Sequence, residues 1–82
     1  AADMDEAKAW FEKALAATER RALQAQVNMA RYYAVKTGDR NLFDELLDEV
    51  MEAHDPLPEA RLANTMARER ASMYIENADQ LF

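Results

Sequence analysis

The chain has no cysteine. That excludes a disulfide framework, a thiol nucleophile and a cysteine-ligated metal, and it selects no compartment. Its one glycine, Gly38, cannot make a phosphate-cradling loop. One glycine and two prolines leave few places to turn, which excludes a sheet of many short strands. No apolar run approaches the ~20 residues of a membrane-spanning helix. No signal peptide is read, and the start Ala-Ala without methionine is that expected of a processed or trimmed piece of a longer protein. Basic residues are outnumbered, ten Lys and Arg against sixteen Asp and Glu, giving a net charge of −6. Such a chain lacks the basic face that nucleic acid requires, and it does not suit an anionic membrane surface.

What is present favours helices. Half of the 82 residues are hydrophobic, and alanine carries much of that share. Alanine is the best helix former and lets helices approach closely. A chain of this length makes one small domain of modest stability, about 5 kcal/mol unless something else covers its faces. The fold class predicted is all-α, with four antiparallel helices in tetratricopeptide-like hairpins.

The stretch Ala30 to Phe43 organises the rest. Gly38 can take the left-handed conformation that ends a helix, Lys36 suits the negative helix end before it, and Asp39 or Asn41 can cap the helix after it. So short a joint forces antiparallel neighbours. The first helix is expected after an N-cap at Asp3 and runs to Ala17, with Met4, Ala7, Phe11, Ala14 and Leu15 at helical spacing and Trp10 beside them. No glycine or proline separates it from the second. A break near Thr18 to Arg21, with Thr18 as N-cap, is preferred to one helix from Asp5 to Lys36, which would be unusually long for a small domain. The second helix then runs from Arg21 to Lys36, with Leu23, Val27, Ala30 and Ala34 on one line. The third runs from Arg40 or Asn41 to Ala53 and carries the strongest amphipathic pattern: Leu42, Phe43, Leu46, Leu47, Val50, Met51. His54 to Pro58 is a loop. The fourth helix runs from Pro58 or Glu59 to Asn77, or on to Gln80, with a predicted core stripe of Leu62, Ala63, Met66, Ala67, Met73, Tyr74 and Ala78. Arg70 stands inside that stripe and must either pair with an acid or reach water along its stem. Leu81 and Phe82 are expected to fold back onto a groove.

Candidate chemistry is thin. Asp44, Asp48 and Glu52 share a helical face, as do Glu45, Glu49 and Glu52, and paired carboxylates can do acid–base work or hold a cation. Without a loop ligand set, a solvated acidic face is the expected reading; an acidic docking surface for a basic partner is the sharper one. His54 is the single histidine and has no nucleophile context. The methionines are expected mainly as core filling. Tyr32 and Tyr33 point about 100° apart on a helix, so one should join the core and the other line a groove. Trp10 either packs or anchors an interface.

Two resemblances follow from particular residues. Asp5 to Leu15 resembles the second helix of a tetratricopeptide repeat. Ala30-Arg31-Tyr32-Tyr33-Ala34-Val35, then Asp39-Arg40-Asn41-Leu42-Phe43 and Leu46-Leu47, resembles the T-component family of TRAP transporter accessory proteins. So do Leu62-Ala63-Asn64, Ala67-Arg68-Glu69-Arg70-Ala71 and Ala78-Asp79-Gln80-Leu81-Phe82. The resemblance covers nearly the whole chain and implies a periplasmic, often lipid-anchored helical-repeat protein. Such a protein associates with the solute-binding protein of a tripartite ATP-independent periplasmic transporter, and a role in handling hydrophobic ligands is suggested. The chain is shorter than the family and lacks its N-terminal helices, signal sequence and lipid-attachment cysteine, so it resembles the C-terminal part. The family offers no catalytic residues to carry over; Arg31, Tyr32, Tyr33, Asp39 and Arg40 match its motif as residues that fix the hairpin.

The expected function is therefore a non-enzymatic interaction module without cofactor or metal. Its partner is a protein, it associates with itself, and it meets a membrane only through an anchor this chain lacks. Candidate interaction residues are Trp10, Arg31, Tyr32 and Tyr33. The alternative is a carrier of a hydrophobic small molecule or lipid in a cavity between helices.

Overall fold

The computed structural model describes residues 2–82, with side chains from Met4 onward. The protein is all-α. Helix α1 spans Ala2–Ala17. Helix α2 covers residues 24–37 and is continuous, but its middle, Met29–Ala34, winds as a π-helix between α-helical Gln24–Asn28 and Val35–Thr37. Helix α3 is Arg40–Glu52. A 3₁₀ turn at Pro58–Ala60 leads into α4, Arg61–Glu76, and a short α5, Ala78–Leu81, ends the chain.

The joints follow local chemistry. Gly38 closes α2 at φ +72°, and the Asp39 amide donates back to the Ala34 carbonyl at 2.8 Å. The Asp39 side chain then accepts from the Leu42 amide at 3.0 Å, capping α3. A Cβ on Gly38 would meet nothing within 4 Å, so the demand for glycine is purely conformational. Gly38→Ala should cost about 1–2 kcal/mol in urea unfolding, the ordinary penalty of a left-handed backbone for an L-residue. An unchanged stability would mean that this joint rearranges freely.

The break between α1 and α2 lies where expected, without glycine or proline. Glu19 and Arg20 adopt φ of 53° and 63°, and the Arg20 amide reaches the Leu15 carbonyl at 2.8 Å. Two details differ. Helix α2 begins at Gln24, three residues later than predicted, and Thr18 does not cap it, because its hydroxyl donates backwards to the Leu15 carbonyl. At the other end, α1 includes Asp3, so Asp3 lies inside its first turn; its side chain, the expected cap, falls outside the described residues.

The slab measures 37 × 28 × 15 Å across Cα atoms. Fifteen ångströms is two helix axes about 10 Å apart plus a Cα radius of about 2.3 Å on each side, so the fold is two helices deep. Helix α3 packs on α2 and α4, α2 also meets α4, and α1 lies against α2. The core holds Leu23, just before α2, and Val27, Met29, Ala30 and Ala34 from α2 with Phe43, Leu46, Leu47 and Val50 from α3. Phe82 returns to meet Phe43 edge to face, centroids 5.1 Å apart.

The predicted stripe holds at Ala67, Tyr74 and Ala78, which lie in or against the core, and is corrected at its other members. The buried face of α4 is Asn64, Ala67 and Ala71, while Leu62, Met66 and Met73 are 75%, 53% and 48% exposed. At 100° per residue the two sets lie on nearly opposite sides of the helix. The small face won because α4 sits close against α2 and α3, where a bulky side chain would hold the helices apart. Met66 and Met73 are thus not core filling, whereas Met29 is.

Candidate functional site

The face that α2 and α4 share depends on how α2 is held. The first amides of a helix have no partner within it. Here Asn64 of α4 supplies one from outside. Its Oδ1 accepts the Leu23 amide at 2.9 Å, and its Nδ2 donates to the Arg21 carbonyl at 3.0 Å. A second clamp comes from α3. Arg20 donates Nε to Glu49 Oε2 at 2.8 Å and forms a second, shorter bond through Nη2 to Oε1. Fully buried Gln26 donates Nε2 to the Arg20 carbonyl at 2.9 Å and to Glu49 at 3.1 Å, leaving its Oε1 without a partner.

Hydrogen bonding from Arg20 holds the Glu49 carboxyl below the usual carboxylate range, against burial, which pushes it up; the Gln26 amide adds to the lowering. The same pairing raises the Arg20 guanidinium. A carboxylate lowered in the folded state stabilises the fold above its unfolded pKa of about 4.3, and the gain is lost as pH falls through the folded value. Melting temperature should therefore drop between about pH 5 and 3, with a shallower drop in Glu49→Gln. Equal slopes in the two proteins, followed by circular dichroism, would count against the clamp.

With α2 fixed, Gln24, Asn28 and Arg31 face α4, and the exposed Tyr32 lies beside Arg31. Arg70 of α4 donates Nη1 to Gln24 Oε1 and to Asn28 Oδ1 (3.2 Å for the latter) and Nη2 to the Tyr74 hydroxyl at 3.4 Å. Of the two expected alternatives, the acid partner is not found among the described residues; Arg70 is half-buried, and neutral amide and hydroxyl oxygens meet its charge. The Arg31 guanidinium lies 5.6 Å from the Tyr32 ring centroid and 5.9 Å from that of Tyr74. The Arg70 guanidinium lies 5.7 Å from the same Tyr74 ring. Arg31 and Tyr32 both fall in the π-helical turn, a local winding that is often found at functional sites. Beside this cluster runs the exposed Leu62–Met66–Met73 edge, and Met66, Glu69, Arg70 and Met73 line a shallow recess of about 220 Å³.

Of the four residues singled out in the sequence, Arg31 and Tyr32 come together here. Tyr33 is half-buried against the core, so the two tyrosines divide as their angular separation implies. Trp10 is 64% exposed on α1 and stacks edge to face on Phe11, centroids 5.0 Å apart. Among the described residues no aromatic or cation–π contact joins it to the Arg31 cluster. Sequence reasoning missed Arg70 as a site residue, and it missed Met66 and Met73 by placing them in the core. The available signal was the charge at position 70 between those two methionines.

Other features are less organised. Asp44, Asp48 and Glu52 are exposed on α3, and among the described residues no group of three or more acids or histidines is placed to hold a metal. His54 is exposed in the loop. A second recess of about 210 Å³ is lined by Leu23, Asp55, Pro56, Arg61, Asn64, Thr65 and Arg68, with Arg61 paired to Asp55 at 2.7 Å. No helix among the described residues is long and apolar enough to cross a membrane.

Compared with known proteins, residues 2–82 match the family model described as TRAP transporter T-component. No curated protein and no solved structure matches the chain.

Proposed function

The chain belongs to the TRAP transporter T-component family, and from that premise we propose that it is a non-enzymatic docking module whose α2/α4 face binds the solute-binding protein of its transporter. The family gives a transport accessory role. The carrying observation is the exposed edge of Leu62, Met66 and Met73 beside Arg31, Tyr32, Arg70 and Tyr74. Methionine, aromatic and arginine side chains are what protein interfaces are enriched in. Tetratricopeptide-like hairpins would present this face, and the periplasm, where a solute-binding protein works, is the proposed location. The chain is proposed to be one helical domain of a longer protein that self-associates.

Both recesses are smaller than the ~300 Å³ at which ligand pockets begin, and the larger one is open. Docking is therefore preferred to carriage of a lipid between helices. Isothermal titration of the chain with its solute-binding protein should give a saturable complex with Kd in the micromolar range, about 10 μM or tighter. No heat at concentrations of about 100 μM, with both proteins folded, would contradict the reading.

A further inference from the structure

Arginine pairing is uneven across this molecule. Arg20, Arg21, Arg40 and Arg61 each meet a carboxylate within the chain, the last three at 3.7, 2.8 and 2.7 Å. Arg68 meets none among the described residues, and donates instead to the Met51 carbonyl at 3.4 Å on the side of α4 that meets α3; Arg31 and Arg70 also meet none, although the chain carries sixteen acids and a net charge of −6. These two converge on one ring, Tyr74. The neutral oxygens of Gln24, Asn28 and Tyr74 orient the Arg70 fork without neutralising it, and Arg31 makes no side-chain hydrogen bond among the described residues. A guanidinium fork preset by stacking and amide contacts matches a carboxylate with two parallel hydrogen bonds.

We propose that Arg31 and Arg70 together receive an Asp or Glu side chain of the docking protein, with apolar neighbours of that residue lying on Met66 and Met73. This deepens the docking reading and rests on it. The exposed methionines on the rim favour a protein segment over a free anion or nucleic acid, which bring no apolar flank. The acidic net charge opposes an anionic membrane. Glu69 lines the same recess, forms no ion pair among the described residues, and opposes a further acid in the docked segment.

The test uses the full chain. Two synthetic peptides, acetyl-Ala-Leu-Asp-Leu-Ala-amide and its Asn counterpart, are titrated at low salt while the arginine Nε–Hε resonances are followed. The Asp peptide should shift Arg31 and Arg70 and bind at least about tenfold tighter than the Asn peptide, as expected of a charge-assisted contact. That preference should vanish in Arg31→Gln and in Arg70→Gln and persist in Arg40→Gln. If Arg70→Gln does not fold, Arg70→Lys, which keeps the charge and loses the fork, is read instead and should lose most of the preference. Equal binding of the two peptides, or no shift of either arginine at millimolar peptide, overturns the proposal. With the solute-binding protein, Arg31→Gln and Arg70→Gln should each raise Kd by about tenfold or more, while Arg40→Gln changes it less than about threefold. If that protein binds and both variants leave Kd unchanged, docking stands and the carboxylate contact falls. If it does not bind while the Asp preference remains, the contact stands and the partner is another protein. Retention on phosphatidylglycerol vesicles that is lost in both variants, with no peptide preference, assigns the arginines to lipid and overturns it.

Discussion

Asn64→Ala is expected to lower stability by about 2–4 kcal/mol in urea unfolding. The side chain is 3% exposed and makes two hydrogen bonds to the backbone that enters α2. Losing a helix cap costs about 1 kcal/mol. Leaving a buried amide or carbonyl without a partner adds about 1–3 kcal/mol. From the about 5 kcal/mol expected of a domain this small, the total would leave about 1–3 kcal/mol. Asn64→Asp should not rescue it, because Asp keeps the acceptor for Leu23, loses the donor for Arg21 and buries a charge. The control is its neighbour Thr65→Ala, exposed and bonded only to the Arg61 carbonyl one turn back, which should stay within about 0.5 kcal/mol. An equally small effect at Asn64 would mean that α2 is held by its apolar contacts alone.

Met66→Asp should weaken binding of the solute-binding protein by about 100-fold and leave folding intact. Burying a methionine contributes about 1.5–3 kcal/mol, and desolvating a carboxylate in its place costs more. The new carboxylate would also stand four residues before Arg70 on the same side of α4, close enough to occupy its fork. Because Met66 is 53% exposed, the core loses nothing, and the melting temperature should move by less than about 2 °C. Asp48→Lys, on the exposed acidic side of α3, is the contrasting variant. If that side bound a basic partner, this substitution and not Met66→Asp would abolish the complex.

The sequence was most legible where burial and periodicity agree. In α3, Phe43, Leu46, Leu47 and Val50 all lie in the core, and the Gly38–Asp39 joint has the predicted backbone and cap. The line Leu23, Val27, Ala30, Ala34, along α2 and the residue before it, is buried. Helix α4 was misread because it has two stripes on nearly opposite sides, one of large residues and one of small. The predicted stripe mixed members of both, with Ala67 beside Leu62, Met66 and Met73; close helix contact required the small side, and only the fold shows which applied. Gln26 and Asn64 were illegible for another reason: each is a polar residue whose partners lie 23 to 43 positions away, apart from the nearby Arg20 carbonyl. The same distance in sequence hid Arg70, whose amide partners are on α2.

Five methionines make the docking face directly readable. With methyl-labelled methionine, the solute-binding protein should shift or broaden the Met66 and Met73 signals, while the buried Met29 and the half-buried Met4 and Met51 hold their positions. A complex that forms with Met66 and Met73 unmoved would contradict the assignment of this face to the partner.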